Sequence, residues 1–384
     1  MDFNFTDEQN MLRDSIARMV QQKYDFDARK AVIASPAGWR PELWAEMAEF
    51  GLMMAPLPEE MGGLGGSAID TLVVMEEFGK GLVVEPYVAS VIAAGGVIKH
   101  AGDADQKAHH GGRIASGEGV YALAALEPKS RFDLADVATS AKADGGGFVL
   151  NGLKAVVVGG PMADTLVVTA RTAGGQRDAE GVSAFLVEKS AKGVSTKDYP
   201  TVDGMRASEV MLENVSVGAE ALLGPVDGAL PALEAAQDEC IAAVCAEAVG
   251  AMRVAHAQTV DYARQRKQFG VAIGSFQVLQ HRMVDMFMAL EQSVSMAYLA
   301  AIRCGEADTL ERAKACAAAK TQIGRAGRFV GQSAIQIHGG MGMTDELAIG
   351  HYFKRLTMID AQFGSADWHL KRYAAMTAME RKAA

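Results

Sequence analysis

The residue types that most often carry chemistry are sparse in this chain, and their spacing excludes more than it suggests. Four cysteines (Cys240, Cys245, Cys304 and Cys316) and eight histidines are present. None of the cysteines forms a CxxC pair, no Cys/His cluster has metal-ligand spacing, and no HExxH occurs, so a metal enzyme is not expected. All four cysteines fall in alanine-rich stretches and read as small apolar core residues of a reducing compartment. Arg266 and the pair Gly339-Gly340 stand where helical patterns end. Taken alone, the first reads as a solvated helix-end charge and the second as an ordinary helix stop.

Such groups need a scaffold, and 384 residues are too many for one hydrophobic core. A hydrophobic share of 49% with 22% charged residues suits a globular chain. The net charge of −10, without a basic cluster, argues against nucleic acid as a partner. The opening Met1-Asp2-Phe3-Asn4 lacks the features of a signal peptide. The most apolar helix, near Cys240 to Met252, is interrupted by Glu247 and is expected to be too short for a bilayer. These features predict a soluble, cytoplasmic protein with no membrane partner.

Three compositional zones follow. Residues 1–117 carry helical periodicity, with helices over Asp7 to Tyr24, Pro41 to Gly51 and Ala68 to Phe78, the last stopped by Gly79. A glycine-rich loop spans Pro58 to Gly66. Residues 118–224 switch to short β runs, and Asn151-Gly152 predicts a hairpin turn, because both turn positions favour positive φ. A small antiparallel barrel or sandwich is expected there. Residues 225–384 read as four long helices, about 230–268, 276–304, 309–338 and 345–381, fitting a four-helix bundle. The fold class is thus mainly α with a central β domain.

Local sequences make that order specific. Tyr121-Ala122-Leu123 through Leu126-Glu127-Pro128, then Asn151-Gly152-Leu153-Lys154, then Gly204-Met205-Arg206-Ala207-Ser208 with Glu213-Asn214-Val215, resemble the β domain of acyl-CoA dehydrogenases. Tyr262-Ala263, Arg266, Gln268-Phe269-Gly270, Phe276-Gln277 and Gln336-Ile337-His338-Gly339-Gly340 resemble that family's helical bundle. The resemblance covers essentially the whole chain and implies the fold of that family. It also implies FAD as cofactor, an acyl-CoA substrate, and an electron-transfer flavoprotein or similar electron acceptor. In the family FAD crosses a subunit interface: one subunit's β domain holds the ring, and the neighbour's bundle holds the adenosine and pyrophosphate end. By resemblance, Arg266, Gln268, Phe269, Gln277, Gln336, Gly339 and Gly340 are the cofactor-binding residues of the bundle. An arginine there supplies a permanent charge and a planar fork for phosphate oxygens.

The ring-holding half departs from the family pattern. Leu126 stands at the position of a flavin-bonding threonine, Lys129-Ser130-Arg131-Phe132 replaces a small glycine-rich turn, and Val156 and Val158 replace an aromatic residue and a threonine. Phe363 occupies the position of the catalytic glutamate near the C-terminus. The alternative base position, on the first bundle helix, falls on Cys240, with Glu239 one residue and roughly 100° away. Glu239 is the one candidate catalytic base. This combination resembles the small subunit of heteromeric bacterial acyl-CoA dehydrogenases, of the pimeloyl-CoA type, which works beside a large subunit. A flavin-free scaffold and a homo-oligomer using Glu239 are the alternatives.

Overall fold

The computed structural model describes residues 5–383, with side chains through residue 380. The first four residues, on which the reading of the chain's start rests, and the side chain of Arg381 lie outside them. Two compact units emerge, each assembled from separated segments: one from residues up to 31, 68–83 and 241 onward, the other from 32–67 and 84–240.

The first unit is helical. Asp7–Lys23 begins with a capping box between Thr6 and Gln9, and Ala68–Gly81 runs through Gly79 rather than stopping there. A Cβ on Gly79 would lie 2.0 Å from the Glu247 carbonyl, and one on Gly250 would lie 1.9 Å from that of Glu76. The expected stop is therefore a close approach, in which two glycines let the Ala68–Gly81 and Leu230–Gln265 backbones touch. The latter helix has 36 residues, close to the expected 230–268, but its apolar stretch is not too short for a bilayer as expected: by length and composition it could cross a membrane. In the fold, 78% of its most apolar stretch is buried. Within this helix the buried Glu247 receives a two-pronged bond from Arg355, Nε to Oε1 at 2.5 Å and Nη2 to Oε2 at 2.6 Å.

Gln277–Cys304 and Thr309–His338 follow as expected, but the last stretch is two helices, Ile349–Ala361 and Ala366–Ala383. Tertiary groups cause the break. Buried Lys320 donates to the carbonyls of Asp360 (3.0 Å) and Gly364 (2.6 Å). The Asp360 carboxylate accepts from the Ala366 N–H, and His369 Nε2 donates to the Phe363 carbonyl at 2.8 Å. Phe363 (φ 54°) and Gly364 (φ 108°) take the left-handed conformations that the turn requires.

Burial pushes His369 down to about 3, and burial followed by the Arg29 charge pushes His351 down to about 4. An unfolded histidine titrates near 6.5. Between these values the unfolded chain binds protons that the fold refuses, so stability is lost as pH falls below about 6.5. The slope is about 1.4 kcal/mol per pH unit for each histidine. The urea midpoint should be lower at pH 5.5 than at 7.5, and His369→Gln should flatten that dependence. An unchanged slope in the variant would remove His369 from the account.

The second unit contains the sheet: β1 (Tyr121–Ala124), β2 (Ser140–Asp144), β3 (Gly147–Val158), β4 (Thr165–Arg171), β5 (Val182–Glu188), β6 (Val194–Pro200), β7 (Arg206–Gly218) and β8 (Leu222–Leu223). Its order is β6-β7-β3-β2-β4-β5-β8, with β1 also on β4. Most pairs are antiparallel, but β1 runs parallel to β4 and β2 touches β4 in parallel, so the sheet is mixed. The turn expected at Asn151-Gly152 is absent, since β3 continues through it. The hairpin turn is Gly145-Gly146 (φ 57° and 94°), and Asn151-Gly152 instead marks a bulge opposite β7. A Cβ on Gly152 would strike Thr139, while Asn151 Oδ1 accepts from the Asn214 N–H. Leu150, Leu166, Val168, Phe185 and Val210 are central to a closed apolar core.

Candidate functional site

The residues singled out on the bundle collect at one end of the helical unit. Leu230–Gln265 ends at Arg266, whose N–H bonds the Tyr262 carbonyl at 2.8 Å. A short hairpin follows, Lys267–Gln268 against Val271–Ala272. Its turn residues, Phe269 and Gly270, have φ 54° and 82°, the two-residue turn that matches strand twist. The Ile273 N–H closes it onto the Arg266 carbonyl at 2.8 Å. Phe269 is 92% exposed and meets only the edge of Phe276 among the aromatic rings described. A bulky residue in a left-handed turn and in water carries two penalties, a pattern typical of binding segments. Gln277 opens the next helix, exposed.

The second motif lies across from the first. Gln336 is exposed in the last turn of Thr309–His338, and the Gly339 N–H bonds its carbonyl. Gly339 has φ 60° and ψ −138°, a backbone only glycine adopts without strain, and a Cβ on Gly339 or Gly340 would meet nothing within 4 Å. The turn is bare backbone facing open space. Tyr262 joins the two motifs: its ring stacks on His338 at 4.3 Å, and its hydroxyl donates to the His338 carbonyl at 3.4 Å. Arg266 thus sits one turn after Tyr262, and Gly339 directly after Tyr262's stacking partner. Arg266 is exposed, and no carboxylate among the described residues pairs with it.

A stripe of exposed side chains, polar except for Phe329, extends from this end. Arg325, Phe329, Gln332 and Gln336 are exposed at helical spacing on Thr309–His338, about 21 Å from Arg325 to Gly339. At its far end a groove is walled by Arg325, Arg328, Asp360, Ser365 and Asp367, with Arg328 2.9 Å from Asp360. The arginines and Gln332 were not singled out from the sequence; helical spacing back from Gln336 was the signal for them. Phe363, at the glutamate position, belongs to the clamped turn beside this groove.

In the sheet unit, the Ala155 N–H bonds the Leu126 carbonyl at 2.8 Å, which brings the Leu126 and Val156 positions to one edge. Val156 has φ 52° and is 47% exposed, and Arg131 also has φ 52°. None of Leu126, Val156 and Val158 offers a side-chain hydrogen bond there. Behind them Lys154 is fully buried, donating to Glu127 (2.7 Å) and Thr169 (3.0 Å). Burial pushes Lys154 down to about 8 despite the Glu127 charge.

Glu239 is engaged on Oε1 by Lys99 Nζ at 2.6 Å and His100 Nε2 at 2.9 Å. Burial alone would raise its carboxyl, but the His100 hydrogen bond and the Lys99 charge outweigh burial and hold it below the usual range. A proton acceptor for neutral pH needs the opposite shift. Cys240 beside it is wholly buried.

Comparison with known proteins matches three consecutive family models: "Acyl-CoA dehydrogenase, N-terminal domain" over residues 6–118, "middle domain" over 122–215 and "C-terminal domain" over 238–377. The mitochondrial isovaleryl-CoA dehydrogenase of Solanum tuberosum is 31% identical across 94% of this chain and 89% of its own. Among solved structures, a variant of the "Tcur3481-Tcur3483 steroid ACAD" superposes with a TM-score of 0.88 at 28% identity, covering 98% of this chain and 99% of that one. Butyryl-CoA dehydrogenase from Megasphaera elsdenii gives 0.90 at 25%, covering 98% and 100%.

Proposed function

The chain belongs to the acyl-CoA dehydrogenase family, and from that premise we propose that it is the small subunit of a heteromeric, FAD-dependent enzyme that desaturates an acyl-CoA thioester between its α and β carbons. The convergence of Arg266 and the Gly339-Gly340 turn through Tyr262 and His338 carries this reading. The residues present fit the dinucleotide end of FAD. Arg266 offers a fork to pyrophosphate oxygens, Gln268, Gln277 and Gln336 offer amides, Phe269 offers a flat apolar face, and the glycine turn lets backbone approach closely. When bound, FAD supplies the hydride acceptor. This chain's part is to hold and orient the cofactor's far end, leaving the ring to a neighbouring subunit.

Three observations favour a partner-dependent subunit over a self-sufficient one. Leu126, Val156 and Val158 give the ring no side-chain hydrogen bonds, Phe363 cannot accept a proton, and Glu239 is committed to Lys99 and His100. The two-protein name of the steroid relative supports a heteromeric arrangement. Exposed Phe269, Val271, Phe276 and Val278 surround the bundle site, as expected where a partner covers it. We assign the base and the ring pocket to a large subunit, and the electrons to an electron-transfer flavoprotein or similar acceptor.

Glu239→Gln tests the division of labour. Turnover by the assembled enzyme should change less than about tenfold, since removing a general base costs about 100-fold or more. A loss of that larger size would make Glu239 the base and this chain the catalytic one.

A further inference from the structure

Cys304 and Cys316 carry no motif in the sequence, being twelve positions apart, yet the fold brings their sulfurs to 3.9 Å. Cys304 is the last residue of Gln277–Cys304, and Cys316 lies near the start of Thr309–His338, across the short connection between these helices. Both are thiols, and their exposure differs: Cys304 is partly open to solvent, whereas Cys316 is fully buried. A disulfide requires sulfurs about 2.05 Å apart, so closure needs a further approach of about 2 Å from the 3.9 Å seen.

We propose that Cys304 and Cys316 form an oxidisable dithiol, a modification site in which hydrogen peroxide converts the pair to an intrachain disulfide. The partly exposed Cys304 sulfur attacks a peroxide oxygen, the O–O bond breaks, and Cys304 becomes a sulfenic acid with release of one water. Cys316 then attacks the Cys304 sulfur, its proton leaves with the displaced hydroxyl as a second water, and the S–S bond forms. In sum, two thiols and one peroxide give one disulfide and two waters, with the two electrons passing from the sulfurs to peroxide. The order follows from access, because only Cys304 can meet the oxidant and only Cys316 is placed to resolve it. The negative end of a helix disfavours a thiolate at Cys304, so the reaction is slow compared with that of a dedicated peroxide sensor. Cys245 lies near enough to influence Cys304, but among the described residues the sulfur in contact with Cys304 is that of Cys316, so Cys245 does not compete.

The full-length chain is treated with hydrogen peroxide, then unfolded and alkylated, and its free thiols are counted and its peptides mapped without reduction. The count should fall from four to two per chain, with a Cys304–Cys316 cross-linked peptide that dithiothreitol removes. In Cys316→Ser, Cys304 should stop at the sulfenic acid and be captured by dimedone, with no intrachain disulfide. A count that stays at four, a link through Cys245, or sulfinic acid at Cys304 of the unsubstituted chain without cross-linking would each overturn the proposal. The unsubstituted protein decides the matter even if the variant fails to fold.

Discussion

Arg266→Ala should weaken FAD binding by the assembled enzyme about 10- to 100-fold. A hydrogen bond to a charged group contributes about 1.5–3 kcal/mol, and about 1.4 kcal/mol corresponds to a factor of ten. Arg266 combines that bond with a permanent charge and a planar fork, and no carboxylate among the described residues competes for it. Lysine should restore only part of the affinity, since a point charge lacks the fork. The structural cost should be small, because Arg266 is exposed at a helix end and its backbone bonds to Tyr262 and Ile273 do not depend on the side chain. Titrating apo-complex with FAD and following flavin fluorescence measures the loss. Affinity unchanged within about twofold would make Arg266 the solvated helix-end charge of the alternative reading.

Arg355→Met should destabilise the helical unit by about 3–5 kcal/mol, the usual cost of leaving one buried charge without its partner. Glu247 and Arg355 are each 3% exposed, and the two-pronged bond is the described partner of both Glu247 carboxylate oxygens. The pair ties Leu230–Gln265 to Ile349–Ala361, next to the glycine crossing at Gly79. Replacing both partners, Glu247→Leu with Arg355→Met, should recover most of the loss, because two matched apolar groups leave no charge stranded. Urea midpoints of the single and double variants measure this directly. A double variant as unstable as the single one would place the cost in packing rather than in the unpaired carboxylate.

Periodicity made the helical zones legible, and turn chemistry did not settle the sheet. Apolar residues at helical spacing located Gln277–Cys304 and Thr309–His338 closely, because those helices bury one continuous stripe each. Gly79 read as a stop because local sequence cannot reveal the Glu247 carbonyl that excludes a Cβ there. Asn151-Gly152 carried a turn signal but lies in a bulge, since pairing with β7 on one side and Thr139 on the other outweighed local preference. The split tail depends on Lys320, some forty residues earlier, reaching two carbonyls of the turn. At the site, residue types and family-like positions pointed to Arg266, Gln336 and the glycine pair. What joins them, the Tyr262–His338 stack, is a tertiary contact between residues 76 positions apart. The Glu239 ion pair was equally hidden, because Lys99 and His100 lie about 140 positions upstream.

The proposed sharing of a cofactor site with a partner is tested most directly by the visible spectrum of the chain purified alone and again after co-expression with a homologous large subunit. The chain alone should carry little flavin, and the complex should show a flavin absorption band that bleaches on anaerobic addition of acyl-CoA and weakens in Arg266→Ala. One flavin per chain in the isolated protein, bleached by acyl-CoA without any partner, would contradict the account.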